Sequence, residues 1–117
     1  MSSFAFYFKN RPGHESRFNT LKGLVTAAAS AGMKVAVFMD LDAVWASSVN
    51  QRSGESLVLP KDNISEMIDM GVEIYVCSVC SAPRGVGDAD AHISGVNMIS
   101  PEASSKLFSE YSVCVSL

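Results

Sequence analysis

Val72-Glu73-Ile74-Tyr75-Val76-Cys77-Ser78-Val79-Cys80-Ser81-Ala82-Pro83-Arg84-Gly85-Val86 is the stretch that decides how this chain folds. Its first part is an apolar run of strand length, entered directly after Gly71. Its second part turns polar, carries two cysteines and ends in Pro83, Arg84 and Gly85, so the backbone there bends out toward solvent. The carboxyl end of a buried strand is where open α/β sheets place their chemistry. A thiol at that point is held by the strand and stays reachable. A short helix beginning near Cys80 would add unpaired N–H groups, which favour the reactive thiolate. Against this stands the plain packing reading, because free cysteine is among the most buried residue types.

Outward from this stretch the chain alternates strand and helix signals. Phe4 to Phe8 is a short aromatic-rich strand. Glu15 to Ala31 places Phe18, Leu21, Val25 and Ala28 on one helical face, with Gly32 as the stop. Lys34 to Met39 is the second strand, and Asp40-Leu41-Asp42 opens a short helix through about Ser47. Asn50 to Glu55 is a polar, glycine-containing loop. Pro60 precedes a third helix in which Asn63 and Glu66 have capping-box spacing and Ile64, Met67 and Ile68 face the core. After the Val72 to Cys77 strand comes a short helix around Asp88 to Ile93. Val96 to Ile99 is the fourth strand. Ser100-Pro101-Glu102 starts a helix to about Tyr111 with a hydroxyl cap and a proline in the first turn, and Val113 to Leu117 is the fifth strand. Residues 1–117 thus read as a single α/β domain. The expected architecture is a three-layer α/β/α sandwich, a five-stranded parallel sheet covered on both faces and joined by right-handed crossovers.

Composition narrows the function. Hydrophobic residues are 48% and charged residues 18% of 117, so either an unusually large share is buried within the fold or a partner subunit covers some apolar surface. A net charge of -3 with scattered Lys and Arg argues against nucleic acid as a partner. The opening Met1-Ser2-Ser3-Phe4 has no basic region ahead of a long apolar stretch, and the apolar runs are too short to cross a bilayer. Three cysteines are an odd number for a disulfide framework, so a cytoplasmic location fits best.

Several polar residues fall at the carboxyl ends of strands: Asn10, Arg11 and His14, then Asp40 and Asp42, then Cys77 and Cys80, then Ser100. Asp40 and Ser100 read as helix caps. Asn10-Arg11-Pro12-Gly13 occupies the place of a phosphate loop but matches no nucleotide motif, and Pro12 removes a backbone donor, so no nucleotide cofactor is expected. Structural zinc takes four ligands, and the additional candidates are Cys114, in a final buried strand, His14, and His92, on the solvent face of its helix; no metal is expected. Thioredoxin chemistry does not fit, because there is no Cys-Gly-Pro-Cys sequence and the motif follows a third parallel strand.

With these residues in view, the chain resembles the DsrE/DsrF-like proteins, which include the TusD-type sulfur-relay subunits. The resemblance rests on Cys77 through Val86, on Gly32 ahead of the second strand, on Gly71-Val72-Glu73-Ile74, and on the closing Gly95-Val96, Pro-Glu helix and Val113-Cys114-Val115. It implies a small α/β protein that assembles as a homotrimer or hexamer and, in some members, carries sulfur as a cysteine persulfide. In those members the reactive cysteine lies seven residues before the Arg of Arg-Gly, which is Cys77; others have one four residues before it, which is Cys80. This chain has both, and Pro83 departs from the family's usual small residue ahead of Arg84.

The expected function is therefore a sulfur carrier or sulfurtransferase-like protein. It would accept sulfane sulfur on Cys77, or on Cys80, from a donor protein and pass it to an acceptor. Arg84 and nearby N–H groups would stabilise the thiolate. A structural reading of Arg84, pinning the turn before Gly85 through carbonyls, stands beside that one. Two other functions remain open: an oligomeric binding module whose cysteines only pack, and a redox sensor in which Cys77 and Cys80 toggle between dithiol and disulfide.

Overall fold

Alternation along the strands sorts their side chains onto two unequal faces. The computed structural model describes residues 2–11, 15–51 and 59–117. Strands β1 (Ser3–Phe8), β2 (Lys34–Met39), β3 (Glu73–Cys77), β4 (Val96–Ile99) and β5 (Val113–Ser116) form one sheet in the order β4-β3-β2-β1-β5. Every pairing is parallel. The helices are α1 (Glu15–Ser30), α2 (Pro60–Asp69), α3 (Ser78–Ser81) and α4 (Pro101–Phe108), with 3₁₀ segments at Leu41–Ser47, Ala82–Arg84 and Ala89–Ala91.

One face holds the main core. Phe6 and Phe8, Val35, Val37 and Met39, and Ile74 and Val76 point to it, where they meet Phe18, Leu21 and Val25 of α1, Ile64 and Met67 of α2, and Val44 of the first 3₁₀ segment. Full burial of an Ile, Leu or Met is worth about 1.5–3 kcal/mol each, so this face carries most of the hydrophobic stabilisation. The opposite face presents Ala5, Tyr7, Ala36, Phe38, Tyr75 and Ile99, which cluster with Leu107 and Phe108 of α4 and with Tyr111. Topology explains the imbalance. The steps β1→β2→β3→β4 all run one way, so right-handed connections stack on one face. Only the return from β4 to β5 crosses the other, and it brings eight residues of helix.

Gly32 (φ +80°) and Gly71 (φ +88°) end α1 and α2 in the left-handed region that favours glycine, and each turns the chain straight into a strand. Ser100 caps α4, its Oγ accepting from the Ala103 N–H at 3.2 Å. The capping box at Asn63 and Glu66 does not form. Proline pre-sets the helical φ at the first helical position, so α2 starts at Pro60 after Leu59. Asn63 sits inside the helix with 7% exposure, its Oδ1 without a hydrogen-bond partner among the described residues. Helix α4 stops at Phe108 rather than Tyr111, and Tyr111 folds back to close the thinner face.

Two further expectations are corrected. Cys114 lies on an edge strand and is exposed, because β5 pairs with β1 alone. His92 is 5% exposed instead of facing solvent. Its segment forms only a single 3₁₀ turn and is strapped to the first 3₁₀ segment by Val49 N–H to Ala91 O (2.9 Å) and Ile93 N–H to Ser47 O (2.9 Å). The predicted loop from Asn50 lies largely outside the described residues. Its described end is anchored by Gln51, whose Nε2 donates to the Trp45 and Ala46 carbonyls at 2.8 and 2.7 Å.

Candidate functional site

Register places Asp40 beside Cys77. Met39 pairs with Val76, so the residues that follow, at the carboxyl ends of β2 and β3, emerge side by side. Cys77 is the last residue of β3 and alternates with Glu73 and Tyr75 onto the thinner face. The chain then turns at once into α3, and Cys80 comes round within its single turn. The result is a cluster in which an Asp40 carboxylate oxygen and the sulfurs of Cys77 and Cys80 all lie within 4.8 Å of one another.

Asp40 is the hub. The Cys80 thiol donates to Oδ1 at 2.6 Å, the Leu41 N–H donates to the same oxygen at 2.9 Å, and the Tyr7 hydroxyl makes a short hydrogen bond to Oδ2. Desolvation alone would raise the Asp40 pKa. The hydrogen bonds from Cys80, Tyr7, Leu41 and Cys77 outweigh it and hold the carboxyl below its ordinary value. The partners respond in the opposite sense. Burial and the bond to Asp40 push the Cys80 thiol up to about 12, and the same two causes raise Tyr7. Leu41 pays for its role with a φ of +50°, a conformation that side chains avoid and that here aims its N–H at the carboxylate.

Cys77 occupies the N-cap position of α3, but its side chain makes no hydrogen bond to the helix N–H groups. Arg84 turns elsewhere as well. Its Nε donates to Asp42 Oδ1 at 3.0 Å and its Nη1 to the Cys80 carbonyl at 3.1 Å. The guanidinium also lies 5.8 Å from the centre of the Trp45 ring, whose Nε1 donates to the Arg84 carbonyl at 3.2 Å. Its hydrogen bonds among the described residues thus go to a carboxylate and a carbonyl, and it braces the turn leading to Gly85.

The cysteines open onto a groove of about 600 Å³ on the thinner face, within the range of small-molecule sites. Tyr7, Phe38, Tyr75 and Phe108 form its aromatic wall, with Phe38 stacked on Phe108 at 4.1 Å and on Tyr75 at 4.9 Å between ring centroids. Cys114 lines the far side.

Comparison with known proteins finds a match to this five-stranded parallel α/β chain over nearly its whole length. The model of the DsrE/DsrF-like family matches residues 2–114. The chain belongs to the DsrE/DsrF-like family. Among solved structures, this DsrE/DsrF-like fold is similar to the YchN protein from E. coli, with a TM-score of 0.86, 20% identity and 100% of both chains covered. It is similar to the protein of unknown function MTH1491 from Methanobacterium thermoautotrophicum, at a TM-score of 0.80 and 16% identity with 100% of both chains covered. It is also similar to the conserved protein of unknown function BT1422 from Bacteroides thetaiotaomicron, at 0.69 and 16%, over 97% of this chain and 94% of that one. At these identities the likeness is one of fold. No curated protein matches the chain.

Of the rim residues singled out in the sequence, the DsrE/DsrF-like fold gathers Asp40, Cys77 and Cys80, and pairs Asp42 with Arg84. Ser100 caps α4, and His14 lies outside the described residues. The sequence reading treated Asp40 as a helix cap. It is the N-cap of the Leu41–Ser47 segment, but two of the three hydrogen bonds its carboxylate accepts come from side chains of other elements, Tyr7 and Cys80. Tyr7 was missed altogether. Its only sequence signal was an aromatic hydroxyl in an otherwise apolar strand, one residue from the carboxyl end.

Proposed function

We propose that this protein carries sulfane sulfur as a persulfide on Cys77. The observation that supports this most directly is the clustering of two thiols and a carboxylate at the open end of β3, against a small apolar groove. The thiols differ in kind. Cys80 keeps its proton, donating it in a hydrogen bond to the Asp40 carboxylate, and is the held thiol, which leaves Cys77 as the nucleophile. The Cys77 thiolate attacks the outer sulfur of a donor persulfide, R–S–SH. The donor S–S bond breaks, its electron pair leaves with R–S⁻, and Cys77 becomes Cys–S–SH. An acceptor thiolate then attacks that outer sulfur and the Cys77 thiolate is regenerated, so the transfer is redox-neutral. The aromatic wall sets apolar surface beside the loaded sulfur, a setting that slows its loss to water. Arg84 and Asp42 are positioning residues that hold the turn bearing Cys80.

Intact-mass spectrometry after exposure to a polysulfide tests this reading. One sulfur per chain is expected on the unmodified protein, removable by a reductant, absent from Cys77→Ser, and retained in Cys114→Ser. Loading that survives Cys77→Ser and disappears in Cys80→Ser would reverse the assignment.

A dithiol redox pair is the second reading, favoured by the sulfurs of Cys77 and Cys80 lying within 4.8 Å. Attack of the Cys80 thiolate on loaded Cys77 would close the disulfide and expel hydrosulfide. Donor and acceptor proteins are the partners proposed for the cycle. Self-association of the chain is proposed with them, supported by apolar Val79, 63% exposed beside Cys80. No helix among the described residues is long and apolar enough to cross a membrane.

A further inference from the structure

We infer that Asp40, Cys77 and Cys80 form an open, three-ligand site for a thiophilic d¹⁰ cation of the zinc and cadmium class. The ligand atoms all lie within 4.8 Å of one another. A tetrahedral ion with bonds of about 2.3 Å to sulfur and about 2.1 Å to oxygen needs edges of about 3.8 Å between sulfurs and about 3.6 Å from sulfur to oxygen. With all three atoms within 4.8 Å of one another, those spacings are reached by side-chain rotation, the Cys80 to Asp40 contact opening from 2.6 Å. The ligand set is two thiolates and one carboxylate, which selects soft or borderline ions over magnesium and calcium.

The surroundings suit such an ion. The Tyr7 hydroxyl on Oδ2 and the Leu41 N–H on Oδ1 orient the carboxylate, as outer donors do at metal centres. The fourth position opens into the groove, where a water or a thiol ligand completes the tetrahedron, the arrangement of open rather than structural zinc sites. Binding of M²⁺ displaces the protons of both thiols, two for each ion when both start protonated. Sequence alone pointed away from metal because it considered only cysteine and histidine as ligands; the third ligand here is an aspartate forty residues from Cys80 in the chain. The inference does not rest on sulfur transfer, since cadmium can bind a protein that never loads sulfur and the reverse.

The test is a cadmium titration of the reduced full chain, followed by the thiolate-to-cadmium charge-transfer absorbance. One equivalent per chain is expected, unchanged in Cys114→Ser and lost in Cys77→Ser and Cys80→Ser. Asp40→Asn should weaken binding on the order of tenfold or more, by analogy with loss of a supporting group at a metal site. Zinc should displace the cadmium signal competitively. In the unmodified protein, where no substitution can disturb folding, bound cadmium should shield Cys77 and Cys80 from iodoacetamide while Cys114 is alkylated at its usual rate. Failure to saturate at one equivalent, equal affinity in Asp40→Asn, dependence on Cys114, or unshielded Cys77 would each overturn the inference.

Discussion

Arg84 reaches away from the sulfurs and into a small polar and aromatic bracket made by Asp42, the Cys80 carbonyl and Trp45. A side chain so engaged acts on the turn rather than on a thiolate. Arg84→Ala should therefore lower stability by about 1 kcal/mol, the scale of one carbonyl bond plus a partly exposed ion pair. The rate-versus-pH curve for alkylation of Cys77 should stay in place. A melting curve taken beside an iodoacetamide profile checks both halves, and a profile displaced toward higher pH with stability unchanged would restore the thiolate-stabilising role. The direction of the Arg84 side chain depended on where Asp42 and Trp45 came to rest, which no local pattern in the sequence shows.

At the scale of elements, a buried imidazole adds to the backbone hydrogen bonds that hold the Ala89–Ala91 turn and its neighbours to the Leu41–Ser47 segment. The Val86 carbonyl can only accept, so His92 Nε2 carries the hydrogen at 2.9 Å, and Nδ1 accepts from the Ser47 hydroxyl at 2.7 Å. That assignment is the one for a neutral ring, the form that the buried site favours at neutral pH. Burial lowers its pKa, with the Val86 carbonyl opposing. The sign follows from linkage. A base whose folded pKa lies below its unfolded value of about 6.5 supports stability above that pH and loses it as pH falls through the folded pKa. Urea unfolding at neutral pH and in mild acid should show that loss, and His92→Gln should flatten it. At neutral pH the same variant should cost about 1–3 kcal/mol, because Ser47 or Val86 is left unpaired. An acid dependence identical in both proteins would exclude His92 as its source. The helix signal around Asp88 to Ile93 was too short for its pattern to say which side of His92 faces inward.

At the scale of the whole molecule, the sheet is covered unequally. Eight residues of α4 protect the face that carries Cys77, and the mouth of the groove exposes Leu41 and Val79. A 12.5 kDa chain with 48% hydrophobic residues gains by covering this face with another copy. Sedimentation at micromolar concentration should show a closed assembly heavier than the single chain, and Val79→Asp should shift it toward the monomer with the fold retained. A sole 12.5 kDa species for the unmodified protein would contradict this.

Local pattern was enough to reveal the five strands, the helical face of Phe18, Leu21 and Val25, the Ser100 cap and the position of Cys77 at a strand end. Each of these depends on residues within a turn or two of one another, where periodicity and capping chemistry act. The capping box at Asn63 failed because Pro60 began the helix earlier, a contest between two local signals that the fixed φ of proline decided. What the sequence did not contain was adjacency. The order β4-β3-β2-β1-β5 and the Met39–Val76 register bring Asp40 and Tyr7 to the cysteines, and the one-way run of crossovers leaves their face thinly covered. Strand order and register are settled by long-range pairing and by burying both sheet faces at once, and those are properties of the folded chain as a whole.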